Sequence, residues 1–204
     1  QHRGHGEDTS LISRSCRNYI HQCSQWASHD ESWGDVYAYT SDWLRRHHQV
    51  PDANLVPLIV DLPNISDDFR NELGIPKSAI VFGRTGGGDT WNLSWSNDVV
   101  WSLLNIRDDI YFFFQNTPVP FEHERLIQAE TTSDLNYKLK FINTCDAMIH
   151  ARHEGESFGI ACGEFSIRNK PVLTWDGSPE RNHIEILGDR GIYYNDPQSM
   201  FDRM

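Results

Sequence analysis

The sequence predicts an α/β fold in which a parallel sheet carries helices on both faces. From residue 64 onward, short apolar runs alternate with segments of helical periodicity. Several runs are continuously apolar, Tyr111–Phe114 among them, as expected for strands that are buried on both faces. Alternation of strands and helices is typical of a parallel sheet, in which ligands bind beyond the carboxyl ends of the strands.

The individual elements of this region follow from the same pattern. Strands are predicted over Ala79–Phe82, Ile110–Phe114, Arg125–Gln128, Ala147–His150, Val172–Thr174 and Gly191–Tyr194. Helices are predicted over Ser66–Leu73, Ser96–Ile106, Ser133–Thr144, Phe158–Asn169, Glu180–Leu187 and Pro197–Met204. Ser133 is the predicted N-cap of the third helix, because Leu135, Leu139 and Ile142 follow it at helical spacing.

The first fifty residues have a different composition, rich in His, Ser, Arg and Trp. A helix is predicted over Thr9–Trp26, a short strand over Asp35–Thr40, and a second helix capped by Ser41 that runs through His48. Pro51–Pro63 carries three prolines around an apolar run and is predicted to be a linker or an entry strand.

We therefore expect a partial N-terminal segment over residues 1–50, a linker over 51–63 and a Rossmann-like domain over 64–204. The chain starts without Met and ends inside a predicted helix, so we expect it to be a fragment of a longer protein.

Composition and charge narrow the class of protein. The 204 residues are 38% hydrophobic and 12% aromatic, which indicates a globular chain. A formal net charge of −11 argues against non-specific binding to nucleic acid or to an anionic membrane, and no apolar run is long enough for a transmembrane segment.

The four cysteines form no C-x-x-C pair and no zinc-type spacing with histidine, so no metal site is expected. A reduced, cytoplasmic setting is the simplest interpretation, although a disulfide between Cys16 and Cys23 stays open.

The first candidate site is a glycine-rich loop after the predicted strand Ala79–Phe82. Its sequence is Gly83-Arg84-Thr85-Gly86-Gly87-Gly88-Asp89-Thr90. Glycines permit positive φ, consecutive backbone N–H groups can cradle phosphate oxygens, and a guanidinium matches phosphate geometry. The spacing fits neither G-x-G-x-x-G nor the P-loop pattern. A plain strand-to-helix turn is an equal alternative.

The second candidate site follows the strand Ala147–His150. We expect Ser157 to cap a helix that begins at Phe158, whose free N–H groups would attract an anion. Glu156 precedes that helix and Glu164 lies two turns into it, where a carboxylate can accept hydrogen bonds from the vicinal hydroxyls of a ribose. The alternatives are a charge–dipole partner for Glu156 and an exposed surface position for Glu164.

The segment Glu156-Ser-Phe-Gly-Ile-Ala-Cys-Gly-Glu164, followed by Asn169-Lys-Pro-Val-Leu-Thr174, resembles a known signature. It is similar to the E-x7-E motif of the retaining GT-B glycosyltransferases of group 1. The upstream Cys145-Asp-Ala-Met-Ile-His150 resembles the strand that leads into that motif. Phe82-Gly-Arg84 resembles the start of the C-terminal domain of these enzymes. The resemblance extends over about residues 55 to 195.

The resemblance implies transfer of a sugar from a nucleotide diphosphate sugar to a saccharide or other hydroxyl acceptor, with retention and without metal or cofactor. Glu164 would hold the ribose and Glu156 the donor sugar, while Arg84 would neutralise the leaving diphosphate. The catalytic residues implied are Glu156 and Arg84. The donor-binding residues implied are Gly83, Gly86, Gly87, Gly88, Arg152, Gly155, Ser157, Phe158, Gly159 and Glu164.

The sequence departs from the family pattern in three respects. Ser157 stands where the family has glycine, and no lysine follows Arg84 within a few residues, so Lys138 or Arg152 is the candidate electrostatic substitute. Residues 1–50 resemble only the last elements of the acceptor-binding domain.

Other functions stay open beside glycosyl transfer. This chain could bind nucleotide sugar without turnover. A dinucleotide-dependent oxidoreductase is disfavoured by the missing G-x-G-x-x-G, and a purely structural role requires that no nucleotide binds. We expect Trp91, Trp95 and Trp101 to pack in the domain, and His183 and Glu185 to lie on a surface helix.

Overall fold

The computed structural model describes residues 2–3, 12–26 and 34–204. The chain forms two compact units. The first consists of residues 1–59, 155–159 and 180–186, and the second of residues 60–154, 160–179 and 187–204. The chain therefore returns twice to the first unit after residue 60. The division into a segment, a linker and a domain at residues 51–63 stays a prediction.

Short strands and helices make up both units. In chain order, the strands within the described residues are β1 (His2–Arg3), β2 (Tyr19–Gln22), β3 (Val36–Tyr39), β4 (Asn54–Leu55), β5 (Ile80–Arg84), β6 (Ile110–Gln115), β7 (Leu126–Ala129), β8 (Ala147–His150), β9 (Gly155–Glu156), β10 (Val172–Trp175), β11 (Glu180–Arg181) and β12 (Ile192–Tyr194). The helices are α1 (Asp42–His47), α2 (Ser96–Ile106), α3 (Leu135–Thr144), α4 (Ile160–Ser166), α5 (Asn182–Leu187) and α6 (Pro197–Arg203), with a 3₁₀ turn at Gly188–Arg190.

The first unit contains a parallel sheet in the order β1-β2-β3-β4. Its small core is formed by Ile20, Tyr37, Tyr39 and Leu44, since alternate residues of β2 and β3 are buried. Burial and the neighbouring Tyr37 raise the pKa of Tyr39 to about 12. The strand predicted at residues 35–40 is confirmed.

The helix predicted over Thr9–Trp26 is wrong in its described part. Tyr19–Gln22 is a strand, because its backbone pairs in parallel register with Val36–Tyr39 and its apolar side chain at Ile20 fills the core. Residues 9–11 of that prediction lie outside the described residues. The helix capped by Ser41 is confirmed, since the Ser41 hydroxyl accepts a hydrogen bond from the Leu44 N–H at 3.1 Å.

The second unit contains a six-stranded parallel sheet in the order β12-β10-β8-β5-β6-β7. Numbered by appearance within the unit, its strands read 6-5-4-1-2-3, the doubly wound Rossmann order. The strand order reverses between β5 and β8. The predicted parallel α/β sheet is therefore confirmed, and a crevice for ligands is expected beyond the carboxyl ends of these two strands.

Side chains alternate between the two faces of this sheet. Val81 and Phe113 belong to the core formed with α3 and α4, whereas Phe82 and Phe112 belong to the core formed with α2 and α6. Both faces of the central strands are thus covered by helices, which explains their continuous apolar sequence. All six predicted strands of this region are confirmed within two residues at their ends.

Several predicted helices need correction. Residues 66–73 contain no helix: 66–68 are irregular, 69 is a bend and 70–73 form a turn. The Arg70 guanidinium holds this segment by binding the carbonyl oxygens of Thr144 (3.1 Å) and Ala79 (3.0 Å) and the carboxylate of Asp146 (2.6 Å). The N-cap of α3 is Asp134 and not Ser133, since the Asp134 carboxylate accepts from the Asn136 N–H at 2.9 Å.

Two further expectations concern aromatic packing and membranes. Trp91 is buried against Phe114, and Trp95 packs against Tyr194, as predicted. Trp101 contacts Phe121 but stays 45% exposed. Within the described part of the chain, no helix has the length and apolarity needed to cross a membrane.

Gly83 provides a test of the central packing. An added Cβ at Gly83 would overlap the Cys145 sulfur and lie 3.0 Å from the Phe165 ring. We expect Gly83→Ala to lower the free energy of unfolding by about 1–3 kcal/mol, the usual cost of overpacking a core. Urea denaturation followed by circular dichroism measures this change.

Gly88→Ala is the matched control, because its Cβ would meet nothing closer than 3.6 Å. We expect its stability to stay within about 0.5 kcal/mol of the unaltered chain. Equal stabilities of the two variants would contradict the tight packing at Gly83.

Candidate functional site

Arg84 ends the central strand β5 at the edge where the strand order reverses. Its side chain is the largest fully buried one, at 1% exposure. The guanidinium donates to the Thr85 carbonyl and, at 2.6 Å, to the Thr90 hydroxyl. Thr90 in turn donates to the Gly87 carbonyl at 2.7 Å. The guanidinium thus lies beneath the glycine-rich loop and holds that loop in place.

The glycines of this loop do not use the positive φ that glycine permits. None of Gly86, Gly87 and Gly88 has positive φ, whereas Gly155 and Gly159 of the second candidate site do. A Cβ at Gly86 would overlap the Arg84 guanidinium. A side chain at position 86 would therefore have to displace the buried guanidinium, which occupies that space.

A buried polar network lies next to Arg84 under the same sheet edge. The Tyr194 hydroxyl donates to the His150 carbonyl at 2.6 Å, and a hydrogen bond of 2.9 Å joins the His150 ring to the Thr174 hydroxyl. Burial raises the pKa of Tyr194, and the positive charge of Arg84 acts in the opposite direction. Hydrogen bonds therefore link the ends of β8, β10 and β12 beneath the expected crevice.

Asn92 joins the two loops that flank the point of strand reversal. Its side chain donates to the Glu154 carboxylate at 3.0 Å and accepts from the His153 N–H at 2.7 Å. Its backbone N–H donates to the Ala151 carbonyl at 3.2 Å. The hydrogen bond from Asn92 is the largest of the effects that lower the pKa of Glu154. Sequence reasoning missed this residue, because asparagine after a glycine loop carries no signal of its own.

Arg152 lies in the second of these loops and is half-buried. Its Nε atom is 3.9 Å from the Glu154 carboxylate, and its carbonyl accepts from the Ser178 hydroxyl at 3.4 Å. The neighbouring His153 ring lies 5.3 Å from the Trp175 ring. Arg84 ends β5 and Arg152 follows β8, so the two arginines lie at the ends of adjacent strands.

Glu164 lies in the second turn of α4 and is 6% exposed, so the surface alternative for this residue is wrong. One carboxylate oxygen accepts from the Lys138 ammonium at 2.8 Å. Lys138 belongs to the first part of α3, which joins β7 to β8, and α4 lies in the connection from β8 to β10. These strands belong to one parallel sheet, so both helices are expected to begin toward its carboxyl edge. Glu164 and Lys138 thus form a charged pair between a buried carboxylate and a partly exposed ammonium.

The predicted helix start at Phe158 is wrong. α4 begins at Ile160, and its seven residues are too few for the N-terminal anion site that the sequence suggested. Gly159 has a φ of +91°, which is outside the range of a right-handed helix, so α4 cannot extend back beyond Ile160. Ser157 is not its N-cap, because its hydroxyl donates to the Cys23 carbonyl at 2.9 Å.

The remaining predicted residues, 155–159, belong to the first unit. Gly155 and Glu156 form β9, which pairs in parallel with Glu180 and Arg181. The Ser157 carbonyl accepts from the Ser41 hydroxyl at 2.5 Å.

His183 is 1% exposed, which corrects the expected surface position. The reason is that the adjacent Asn182 binds the Phe158 carbonyl at 2.7 Å and draws the start of α5 inward. Glu185 stays exposed and pairs with Arg46.

The predicted site residues thus fall in two sets. Arg84, Gly83, Gly86, Gly87, Gly88, Arg152 and Glu164 belong to the second unit, and Gly155, Glu156, Ser157, Phe158 and Gly159 to the first.

A surface cleft of about 420 Å³ lies between the β6–β7 loop and β7, next to Pro118, Phe121, His123 and Gln128, and contains none of the predicted site residues. Among the described residues, no group of three His, Cys, Asp or Glu side chains is arranged to hold a metal ion.

No protein-family model matches the sequence, and no curated protein matches it. Several solved structures share its fold. HepE from Anabaena, in complex with UDP and glucose, has a TM-score of 0.66 at 14% identity and matches 85% of this chain and 53% of its own. HepE has also been solved with UDP-glucose.

Two synthases are similar as well. Sucrose-phosphate synthase from Thermosynechococcus elongatus has a TM-score of 0.58 at 11% identity, over 90% of this chain and 56% of its own. A trehalose-6-phosphate synthase analysed for glycosyl transfer with retention has a TM-score of 0.59 at 7% identity, over 93% and 60%. The GT-B fold predicted from the E-x7-E resemblance is therefore confirmed. The chain spans 53–60% of the length of these three structures.

The contact between Asn92 and Glu154 yields a prediction about pH. The lowered pKa of Glu154 means that this hydrogen bond contributes stability above the ordinary carboxyl pKa of 4.5, and that the contribution is lost as the pH falls through the folded value. We expect Asn92→Ala to return the pKa of Glu154 toward 4.5 and to reduce the stability difference between pH 7 and pH 3. A carboxyl-carbon NMR titration measures the first effect.

Asn105→Ala is the matched control, since the Asn105 amide donates only to a carbonyl within α2, that of Trp101. The pKa of Glu154 in the Asn105→Ala variant should equal its pKa in the unaltered chain. An unchanged pKa of Glu154 in the Asn92 variant would show that Asn92 does not set it.

Proposed function

We propose that this chain is the donor-binding part of a glycosyltransferase that uses a nucleotide diphosphate sugar and transfers the sugar to a hydroxyl acceptor with retention. The observation that carries the proposal is Glu164. Its carboxylate is buried, follows the strand at the point of order reversal, and binds Lys138 through one oxygen. The other oxygen makes no hydrogen bond within the described residues, and is suited to accept from a ribose hydroxyl.

Arg84 supplies positive charge for the leaving diphosphate. A guanidinium buried beneath the loop acts through a medium of low dielectric, where a charge interacts more strongly than in water. Its bonds to Thr85 and Thr90 also hold the loop, so that less reorganisation is needed when charge develops in the transition state. In this proposal Arg84 therefore acts from behind the loop backbone and the loop N–H groups meet the phosphates.

Glu156 serves as a clamp for hydroxyls of the donor sugar and not as a nucleophile. The Gly155–Gly159 segment contributes backbone groups beside it, and Arg152 adds a half-buried cation at the end of β8. Arg84, Arg152 and Lys138 together give the second unit cationic groups for an anionic donor, which supports a reaction without metal.

The comparisons support this proposal through the ligands of the neighbours. HepE shares the fold and has been solved with UDP-glucose, and the trehalose-6-phosphate synthase was analysed for transfer with retention. Because of the E-x7-E resemblance, we propose that this chain also uses a nucleotide sugar and that transfer proceeds with retention. A cytoplasmic setting and the absence of nucleic-acid binding belong to the same proposal.

A second candidate is a module that binds nucleotide sugar without turnover. It is favoured by the length of the chain, which spans 53–60% of HepE and the two synthases. Release of UDP from UDP-glucose, with and without saccharide acceptors, separates the two: a binding module retains affinity for UDP but releases none from the sugar nucleotide.

Isothermal titration with UDP, GDP, ADP and CMP tests the proposal. We expect one nucleotide to bind and Glu164→Gln to weaken it by about ten-fold or more, since hydrogen bonds to a charged group contribute about 1.5–3 kcal/mol. The loss of charge at nearly constant shape leaves the packing of α4 intact.

Glu72→Gln is the control, because Glu72 is an exposed carboxylate that also pairs with a lysine of α3, Lys140. It should bind as the unaltered chain does. If a folded chain binds none of the four nucleotides, the proposed donor site is refuted for this chain.

A further inference from the structure

We infer that Lys138 and Glu164 act as one recognition pair for the vicinal diol of a ribose, and that Lys138 determines the preference for ribose over deoxyribose. This inference rests on the proposed function and names a residue that the family signature does not contain. The family pattern implies a lysine shortly after Arg84, which this sequence lacks, whereas Lys138 lies on α3.

Lys138 and Glu164 form a close pair that is largely buried. The Lys138 ammonium lies 2.8 Å from one Glu164 oxygen, with side-chain exposures of 25% and 8%. A carboxylate at that depth requires a compensating charge, and this ammonium is its partner among the described residues. The buried position of Glu164 therefore favours this ion pair more than an exposed position would.

The pair has hydrogen-bonding capacity left over for a ligand. An ammonium has three N–H donors and a carboxylate has two oxygens, yet one hydrogen bond joins these groups and the described residues add no other. The partly exposed ammonium thus offers donors beside an acceptor oxygen. A hydroxyl is both donor and acceptor, so a vicinal diol can donate to Glu164 and accept from Lys138 at the same time.

The pair also lies at the edge of the sheet where a ligand is expected. α3 joins β7 to β8, and α4 lies in the connection from β8 to β10, all strands of one parallel sheet, so the early residues of both helices are expected toward the carboxyl edge of that sheet. Lys138 is the fourth residue of its helix and Glu164 the fifth of its own. The pair therefore faces the same sheet edge as the end of β5 and the loop after β8, where the donor nucleotide is proposed to bind.

Titration of the 204-residue chain with UDP and 2′-deoxy-UDP tests the inference. We expect the unaltered chain to bind UDP about ten-fold or more tightly than the deoxy compound, as the loss of one charge-assisted hydrogen bond predicts. Lys138→Met should reduce this ratio to within about three-fold of one, mainly through weaker UDP binding. Lys138→Arg should retain most of the preference, because it keeps both charge and donors.

Lys140→Met is the matched control. Lys140 lies on the same helix and also pairs with a glutamate, Glu72, but its ammonium stands 4.3 Å from the centre of the Phe69 ring. The ratio of the affinities for UDP and 2′-deoxy-UDP in the Lys140→Met variant should equal that of the unaltered chain. Thermal melting of each variant verifies the fold.

Failure of the inference and failure of the proposed function give different results. If Lys138→Met weakens UDP and 2′-deoxy-UDP equally, Lys138 has only a structural role and the inference is overturned while the proposed function stands. If the unaltered folded chain binds neither these two compounds nor the other nucleotides, the proposed function fails and the inference fails with it.

Discussion

The buried guanidinium of Arg84 constrains the whole carboxyl edge of the second unit. Removing a charge from water is costly unless polar groups surround it, and a guanidinium has five N–H donors to satisfy. The loop after β5 therefore folds over the side chain, so that Thr85 and Thr90 supply oxygen atoms. Gly86 leaves open the space that the guanidinium fills. Asn92, a few residues later, then ties the loop to the residues after β8.

The glycines of the loop over Arg84 provide space and not an unusual backbone conformation. The glycines at positions 86 to 88 do not create left-handed turns, since none of the three has positive φ. Gly88 leaves room on the loop surface, since an added Cβ would meet nothing closer than 3.6 Å, and a Cβ at Gly87 would come no closer than 3.2 Å to the side chains of Asp89 and Thr90. Close approach of an anion to the backbone therefore remains sterically possible, with the positive charge of Arg84 underneath.

The sequence predicted the second unit far better than the first. Strands such as Ile110–Gln115 are recognisable because both of their faces are buried, and this makes the run continuously apolar. Tyr19–Gln22 has one short apolar stretch within polar residues, and its strand state comes from pairing with Val36–Tyr39, which local sequence does not encode. Local sequence likewise does not predict the pairs of Lys138 with Glu164 and of Asn92 with Glu154, because the partners are 26 and 62 residues apart.

The E-x7-E spacing extends over more than one kind of local structure in this chain. The sequence predicted that Glu156 precedes a helix that contains Glu164. Here Glu156 belongs to a two-residue strand and α4 begins at Ile160. Gly159 makes the change of direction possible, because its φ of +91° is strained for other residues and a Cβ would come within 3.0 Å of His183. The spacing thus records a strand, a glycine turn and one helical turn, and the two carboxylates belong to different compact units.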